Sequence, residues 1–208
     1  MDLQLKDKVI IVSGGAKGIG EGIAKVLAAE GAIAIIIGRK AADNNKVVNE
    51  ITEAGGKSFQ VEAELTKPEE CEKAIKIIAE KYGRIDSLVN NAGVNDGIGL
   101  EKGSYEGFIA SMHRNVVHYY LLAHHSLPYL IKAKGSIVNI TSKTAETGQG
   151  NTSAYAAANG ARNGLTREWA VELLKYRIRV NAIVVAESWT PQYETWIQTL
   201  SNPEEKLK

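Results

Sequence analysis

The chain has 208 residues, 44% hydrophobic and 24% charged, enough for one sizeable core. Its 25 Lys and Arg against 24 Asp and Glu leave no basic surplus that would point to nucleic acid or an anionic membrane. A single cysteine excludes an internal disulfide, no apolar run approaches the roughly 20 residues of a membrane span, and the N-terminus lacks a signal peptide's layout, so a cytoplasmic protein is expected.

Val9, Ile10, Ile11 and Val12 have the length and composition of a buried strand. A glycine-rich turn follows, with Gly14, Lys17, Gly18, Ile19 and Gly20, and then a helix with an apolar stripe of Ile19, Ile23, Val26 and Leu27. Strand, glycine turn and helix in that order let main-chain N–H groups and the positive helix end approach a pyrophosphate, because glycine puts no Cβ in the way. A second strand spans 33–37, and a helix through Val47, Val48 and Ile51 stops at Gly55 and Gly56. A short third strand covers 58–61. Thr66 with Glu69 three residues later reads as a capping box, and Pro68 suits a first helical turn. Behind it Cys71, Ala74, Ile75 and Ile78 form a core stripe.

The fourth strand ends in Leu88, Val89, Asn90, Asn91, Ala92 and Gly93. A long helix over 105–127 is expected to stop at Pro128, a fifth strand covers 136–140, a second long helix spans 155–175, and a sixth strand covers 179–185. No repeat, low-complexity tract or linker interrupts this order, so 1–208 reads as one domain. Apolar strands that alternate with helices imply an α/β fold: a doubly wound parallel sheet flanked by helices on both faces. Ligands of such sheets sit beyond the strand C-terminal ends.

The Gly14, Gly18, Gly20 turn, the run Asn90 to Gly93, Asn115 in the long helix, and Ser142 followed by Tyr155 together resemble the short-chain dehydrogenase/reductase family over essentially the whole chain. The resemblance implies a Rossmann-type fold, a nicotinamide cofactor and hydride transfer. Within the family, residues 95–100, 142–145, 147–152 and 186–196 resemble the L-fucose dehydrogenase subgroup, which implies oxidation of a sugar's anomeric hydroxyl to a lactone. Relatives continue past this point into another helix and a seventh strand, whereas this sequence stops at Lys208; a true end there would make the strand at 179–185 a bare sheet edge, and a segment lost or omitted beyond Lys208 is the expected alternative.

Oxidising a hydroxyl requires a base for the O–H proton and an acceptor for the hydride. Tyr155 is the candidate base; an unperturbed phenol titrates near about 10, so it must be made more acidic to work near neutrality. Ser142 can hydrogen-bond the reacting oxygen. Asn115 is out of place on the apolar stripe of Phe108, Met112, Tyr119 and Leu122, since a buried amide needs partners; the family implies that it anchors a proton relay, and a plain helix–helix hydrogen bond is the alternative. Asn159 departs from the family, which carries lysine four residues after the tyrosine. Asparagine there can bond a ribose hydroxyl but brings no charge, so reduced activity or a more alkaline optimum is expected, with the positive nicotinamide of the oxidised cofactor, or Lys143 beside Ser142, left to supply the charge.

NAD-specific relatives place an acid at the end of the second strand. Here Gly38 is followed by Arg39 and Lys40, which favours NADP over NAD, with Arg39 on the 2′-phosphate. By family position Glu64 and Leu65 border the adenine, Asn91, Ala92 and Gly93 line the ribose and pyrophosphate, Thr190 faces the nicotinamide and phosphates, and Ser188 lies near the carboxamide. Asp96, Gln149, Asn151, Glu187 and Trp189 fall on loops flanking the catalytic pair and are candidate sugar contacts. Tyr193 and Trp196 lie on a plausible lid helix. His113, His118, His124 and His125 form no ligand constellation, so no metal is expected. The small residues Ala154, Ala157, Ala158 and Ala161 suggest close helix approach, and relatives pair such helices, which implies a homo-dimer or homo-tetramer. A carbonyl reductase of acyl or steroid ketones, and a cofactor-binding protein that has lost catalysis, remain open alternatives.

Overall fold

Strand residues divide between two cores, as a period of two on a sheet covered on both faces requires. Val9, Ile11, Ile35 and Ile37 pack on one side with Cys71, Ile75, Ile78, Tyr119, Leu122, Leu130 and Trp169. Ile10, Val12, Ala34 and Ile36 pack on the other with Ala24, Ala28, Val47 and Ile51. The computed structural model describes residues 2–198. Its elements in chain order are β1 (Val9–Ser13), α1 (Gly18–Ala29), β2 (Ile33–Gly38), α2 (Ala41–Glu53), β3 (Lys57–Glu62), α3 (Pro68–Tyr82) and β4 (Ser87–Asn90). Then follow α4 (Tyr105–Met112), a π-helical segment (His113–Val117), α5 (His118–Ala133), β5 (Ser136–Ser142), α6 (Ser153–Glu172), β6 (Arg179–Val185) and α7 (Pro191–Ile197).

The six strands are parallel in the order β3-β2-β1-β4-β5-β6. This is the Rossmann-type doubly wound sheet, and its order reverses between β1 and β4, where a crevice opens beyond the strand ends. The edge strand β6 leaves Ile183 and Val184 about half exposed.

Several local expectations are corrected. The sheet-facing side of α1 is Gly20, Ala24 and Ala28, whereas Val26 is exposed; small residues let this helix lie close to the strands, and the larger aliphatics flank the contact. No capping box forms at α3. The helix begins one residue later than Thr66 allows, its N-cap Lys67 makes no side-chain cap bond, and the Thr66 hydroxyl donates to Glu64 instead. Pro128 does not end α5, which continues to Ala133. The last turn buries Leu130 completely against the core, and that burial offsets the backbone bond that proline cannot donate. The helix ends at Lys134 in the left-handed region, φ 49°. Of the four alanines expected to form a contact face on α6, Ala154 and Ala158 are buried inside the protein and only Ala157 is exposed, so they do not form one outward stripe. Cys71 is a core residue whose thiol burial pushes up to about 12.

Candidate active site

At the C-terminal ends of β1 and β4 the chain folds onto itself through its glycines. Gly14 has φ +65°, and a Cβ there would stand 2.9 Å from the Ala92 main chain. A Cβ on Gly20 would meet the Gly14 carbonyl oxygen at 2.2 Å, so the first turn of α1 seats only when that side chain is absent. Asn91 reaches back under the turn, its Nδ2 donating to Ser13 O at 3.0 Å and to Gly14 O at 3.3 Å. The buried Ser13 hydroxyl accepts from Asn91 N and Ala92 N, fastening β1 to the loop after β4. Neither Ser13 nor this reciprocal latch stands out in the sequence, because a serine closing an apolar strand looks like turn chemistry.

A cleft of about 1690 Å³ opens from this turn across the sheet end. That is larger than the roughly 300–1,000 Å³ of a drug-sized pocket and suits an extended dinucleotide with a substrate beside it. Gly14, Lys17, Gly18 and Ile19 line one end, with Arg39, Glu64 and Leu65 beyond them and Asn91, Ala92 and Gly93 on the floor. Ser188 and Thr190 approach from the segment after β6, and Thr190 stands 3.5 Å from the Cβ position of Gly18. The cradle that a Cβ would fill at Gly14 and the positive φ at Gly18, 56°, leave main-chain N–H groups open at the N-terminus of α1, which fits a pyrophosphate. Gly20 lies behind the turn rather than on the cleft wall.

At the other end Ser142, the last residue of β5, and Tyr155, in the first turn of α6, share the cleft wall with Gln149, Lys143 and Glu187. Lys143 and Glu187 form an ion pair across the cleft mouth. His118 also lines the cleft; burial pushes its imidazole down to about 3, so it is neutral there.

Other expected site residues sit elsewhere. Asp96 does not reach the cleft: it accepts from Ser111 Oγ at 3.0 Å and from both Nε and Nη2 of Arg114, which ties the loop after β4 to the helix. Asn151 and Trp189 are exposed outside it; Asn151 occupies a left-handed turn position, φ 56°, and Trp189 packs on Tyr193 with ring centroids 5.7 Å apart. The Trp196 side chain lies outside the described residues.

Asn159 is completely buried and turned from the cleft, so it is not placed for a ribose hydroxyl. Its Nδ2 donates back to Tyr155 O at 2.9 Å, and its Oδ1 accepts from Arg162 Nη1 at 3.0 Å. Asn115 sits in the π-helical segment, where the wider turn lets its side chain reach the loop after β4. Its Oδ1 accepts from Val94 N at 2.8 Å and its Nδ2 donates to Ser111 O at 3.1 Å. A carboxylate does stand near Arg39 after all: Glu64, beyond β3, lies 3.7 Å from its guanidinium.

Arg162 gives no signal in the sequence. It is buried in the cleft wall, two turns beyond Tyr155, and its position in a helix of small and polar residues gives no periodic signal.

A glycine-cradled cleft at the switch point of a doubly wound sheet, with a serine and a tyrosine on its far wall, defines a nucleotide-dependent oxidoreductase. The short chain dehydrogenase model matches residues 8–199, and the chain belongs to that family. L-fucose dehydrogenase from Bos taurus is 31% identical over 204 residues, covering 98% of this chain and 74% of the relative. A 3-oxoacyl-[acyl-carrier-protein] reductase from Thermotoga maritima is 33% identical over 194 residues, covering 92% and 78%. Among solved structures, the dehydrogenase Cj0485 superposes with a TM-score of 0.91 at 47% identity, covering 99% of this chain and 78% of that one.

Proposed function

We propose that this protein oxidises a sugar hydroxyl, that of L-fucose or a related aldose, to the lactone, with NADP preferred over NAD. The carrying observation is that Ser142 and Tyr155 share one cleft wall, across the sheet end from the glycine turn. Support for a sugar comes from the similarity to proteins named L-fucose dehydrogenase. When bound, the nicotinamide supplies the hydride acceptor. The Ser142 hydroxyl holds the reacting sugar oxygen, and the Tyr155 oxygen takes its proton as the carbon loses hydride. Gln149 and Glu187 remain as candidate sugar contacts on the cleft, Glu187 through its pair with Lys143.

Initial rates with L-fucose and D-arabinose against acyl and steroid ketones, each with both cofactors, test this. Sugar oxidation is the expected result; turnover of ketones alone would establish the carbonyl-reductase alternative, which the 3-oxoacyl reductase relative favours. Binding of NADPH without any turnover would mark a protein that has lost catalysis.

The NADP preference rests on Arg39, with Lys40 and Lys17 beside it on the cleft; Asp43 already pairs with Lys17 at 2.8 Å. Arg39 must exchange its contact with Glu64 for the 2′-phosphate. Replacing Arg39 by alanine is expected to raise KM for NADP by about 10–100-fold, the worth of one charge-assisted hydrogen bond, and to leave KM for NAD nearly unchanged. Steady-state kinetics with the two cofactors check it. Exposed Tyr120, Val171 and Leu174 on α5 and near the end of α6 support a homo-oligomer as part of the same proposal.

A further inference from the structure

Among the described residues, one buried charge in the cleft wall has no counter-ion. Arg162 is 3% exposed, and a helical side chain leans toward the N-terminus of its helix. Its guanidinium thereby reaches back to Asn159, whose own amide bonds the Tyr155 carbonyl, and both Arg162 and Tyr155 line the cleft. Nε donates to Asn115 O at 2.6 Å, and Nη1 donates to Ile140 O at 3.1 Å and Asn159 Oδ1 at 3.0 Å. Nη2 has only long contacts, 3.4 Å to Ala92 O and 3.5 Å to Asn115 Oδ1. The Tyr119 ring lies 4.2 Å from the guanidinium carbon. Every one of these partners is neutral, and among the described residues no carboxylate pairs with Arg162. A buried charge without a counter-ion is costly, and packing alone would be served better by an apolar side chain.

The position of this charge gives it a use. Nη1 shares the Ile140 carbonyl with the Tyr119 hydroxyl, on the strand that ends two residues later at Ser142. Most of the other charged and titratable groups around this end of α6 are balanced or neutral, Glu146 and Glu106 being carboxylates without a paired cation among the described residues. Lys143 pairs with Glu187 and Arg114 with Asp96. Burial pushes His118 down to about 3 and Tyr119 up to about 12, so both are uncharged near neutrality. Glu146 accepts from Asn163, and His113 and Glu106 border the cleft farther along α4 and the π segment.

We propose that Arg162 is a positioning residue for Tyr155: its unbalanced positive charge stabilises the anionic oxygen that Tyr155 carries as a base. It performs from two turns away what neutral Asn159 cannot, so the reaction runs at neutral pH without a cation at position 159. This rests on Tyr155 being the base.

The test replaces Arg162 by glutamine, which removes the charge but keeps amide donors for the Asn115 and Ile140 carbonyls. NADPH fluorescence verifies that the variant folds and binds. The acidic limb of its pH–rate profile is expected to move up by about one unit or more, a roughly tenfold rate loss at neutral pH. Arg162→Lys should return the limb to its original place. A second variant, Asn159→Asp, keeps the arginine but gives it a counter-charge, and the same upward movement is expected. Ultraviolet titration of tyrosinate in the cofactor-free protein, as the difference from Tyr155→Phe, should move in step, whatever the substrate. A folded, NADPH-binding Arg162→Gln or Asn159→Asp variant whose limb and titration stay in place overturns the proposal. If Tyr155→Phe itself keeps full turnover, the assignment of the base has failed instead.

Discussion

Replacing Tyr155 by phenylalanine is expected to lower sugar turnover by about 10²–10⁴-fold, the usual contribution of a positioned acid–base group. NADPH affinity and thermal stability should stay close to those of the unaltered protein. The Tyr155 hydroxyl makes no hydrogen bond to another described residue, and its ring is only half buried in the first turn of α6, so phenylalanine preserves the packing. The contacts that hold this turn belong to the backbone and to Asn159, whose Nδ2 bonds the carbonyl of residue 155 with either side chain there. Paired measurements of kcat and of NADPH binding by fluorescence separate the outcomes. Loss of kcat with intact binding assigns the proton transfer to this oxygen, and unchanged kcat removes Tyr155 from the chemistry. A loss of binding and turnover together would mean that the ring shapes the cleft instead.

The frame of the molecule could be read from period and composition because each signal was local. Four aliphatics before a glycine turn, or Cys71 at helical spacing with Ile75 and Ile78, need no knowledge of distant residues, and β1 to β6 each overlap the strand expected there, although β4 stops at Asn90 and does not run on to Gly93. Errors arose where a tertiary contact overrode a local rule. Pro128 should break a helix, yet Leu130 two residues later has a core socket to fill. Thr66 should cap one, yet Glu64 competes for its hydroxyl.

The glycine-turn end of the cleft was legible for a similar reason: glycine positions report directly on backbone approach. The end that holds Ser142 and Tyr155 was less so. Asp96 sits on a loop beside the cleft, but Arg114 lies 18 residues away in sequence and takes its carboxylate, a pairing no spacing rule announces. Arg162 was hidden for the converse reason. Its acceptors are carbonyls of β5, of the π segment and of the loop after β4, and a sequence does not display carbonyls.

Introducing lysine at position 159 is expected to damage this protein rather than improve it. From sequence, the substitution restores a missing cation one turn after Tyr155. In the fold that side chain is completely enclosed, and its amide oxygen is 3.0 Å from Arg162 Nη1. An ammonium in that place would lose the acceptor that Arg162 uses and face a guanidinium at close range. Two like charges about 4 Å apart at an effective dielectric near 20 repel by about 4 kcal/mol. Stretching of the lysine stem toward the cleft relieves part of this, leaving a net destabilisation of about 2–4 kcal/mol. For a chain of this length that lowers the melting temperature by about 5–15 °C. No gain in rate should accompany it, because the positive charge is already present. The same lysine in an Arg162→Met background should cost little, since the charge has then moved rather than doubled. Melting temperatures of the two single variants and the double variant form a cycle, and a favourable coupling of about 1–3 kcal/mol is expected. Additive single effects, or an Asn159→Lys variant that is both stable and faster, would show that positions 159 and 162 do not share one charge.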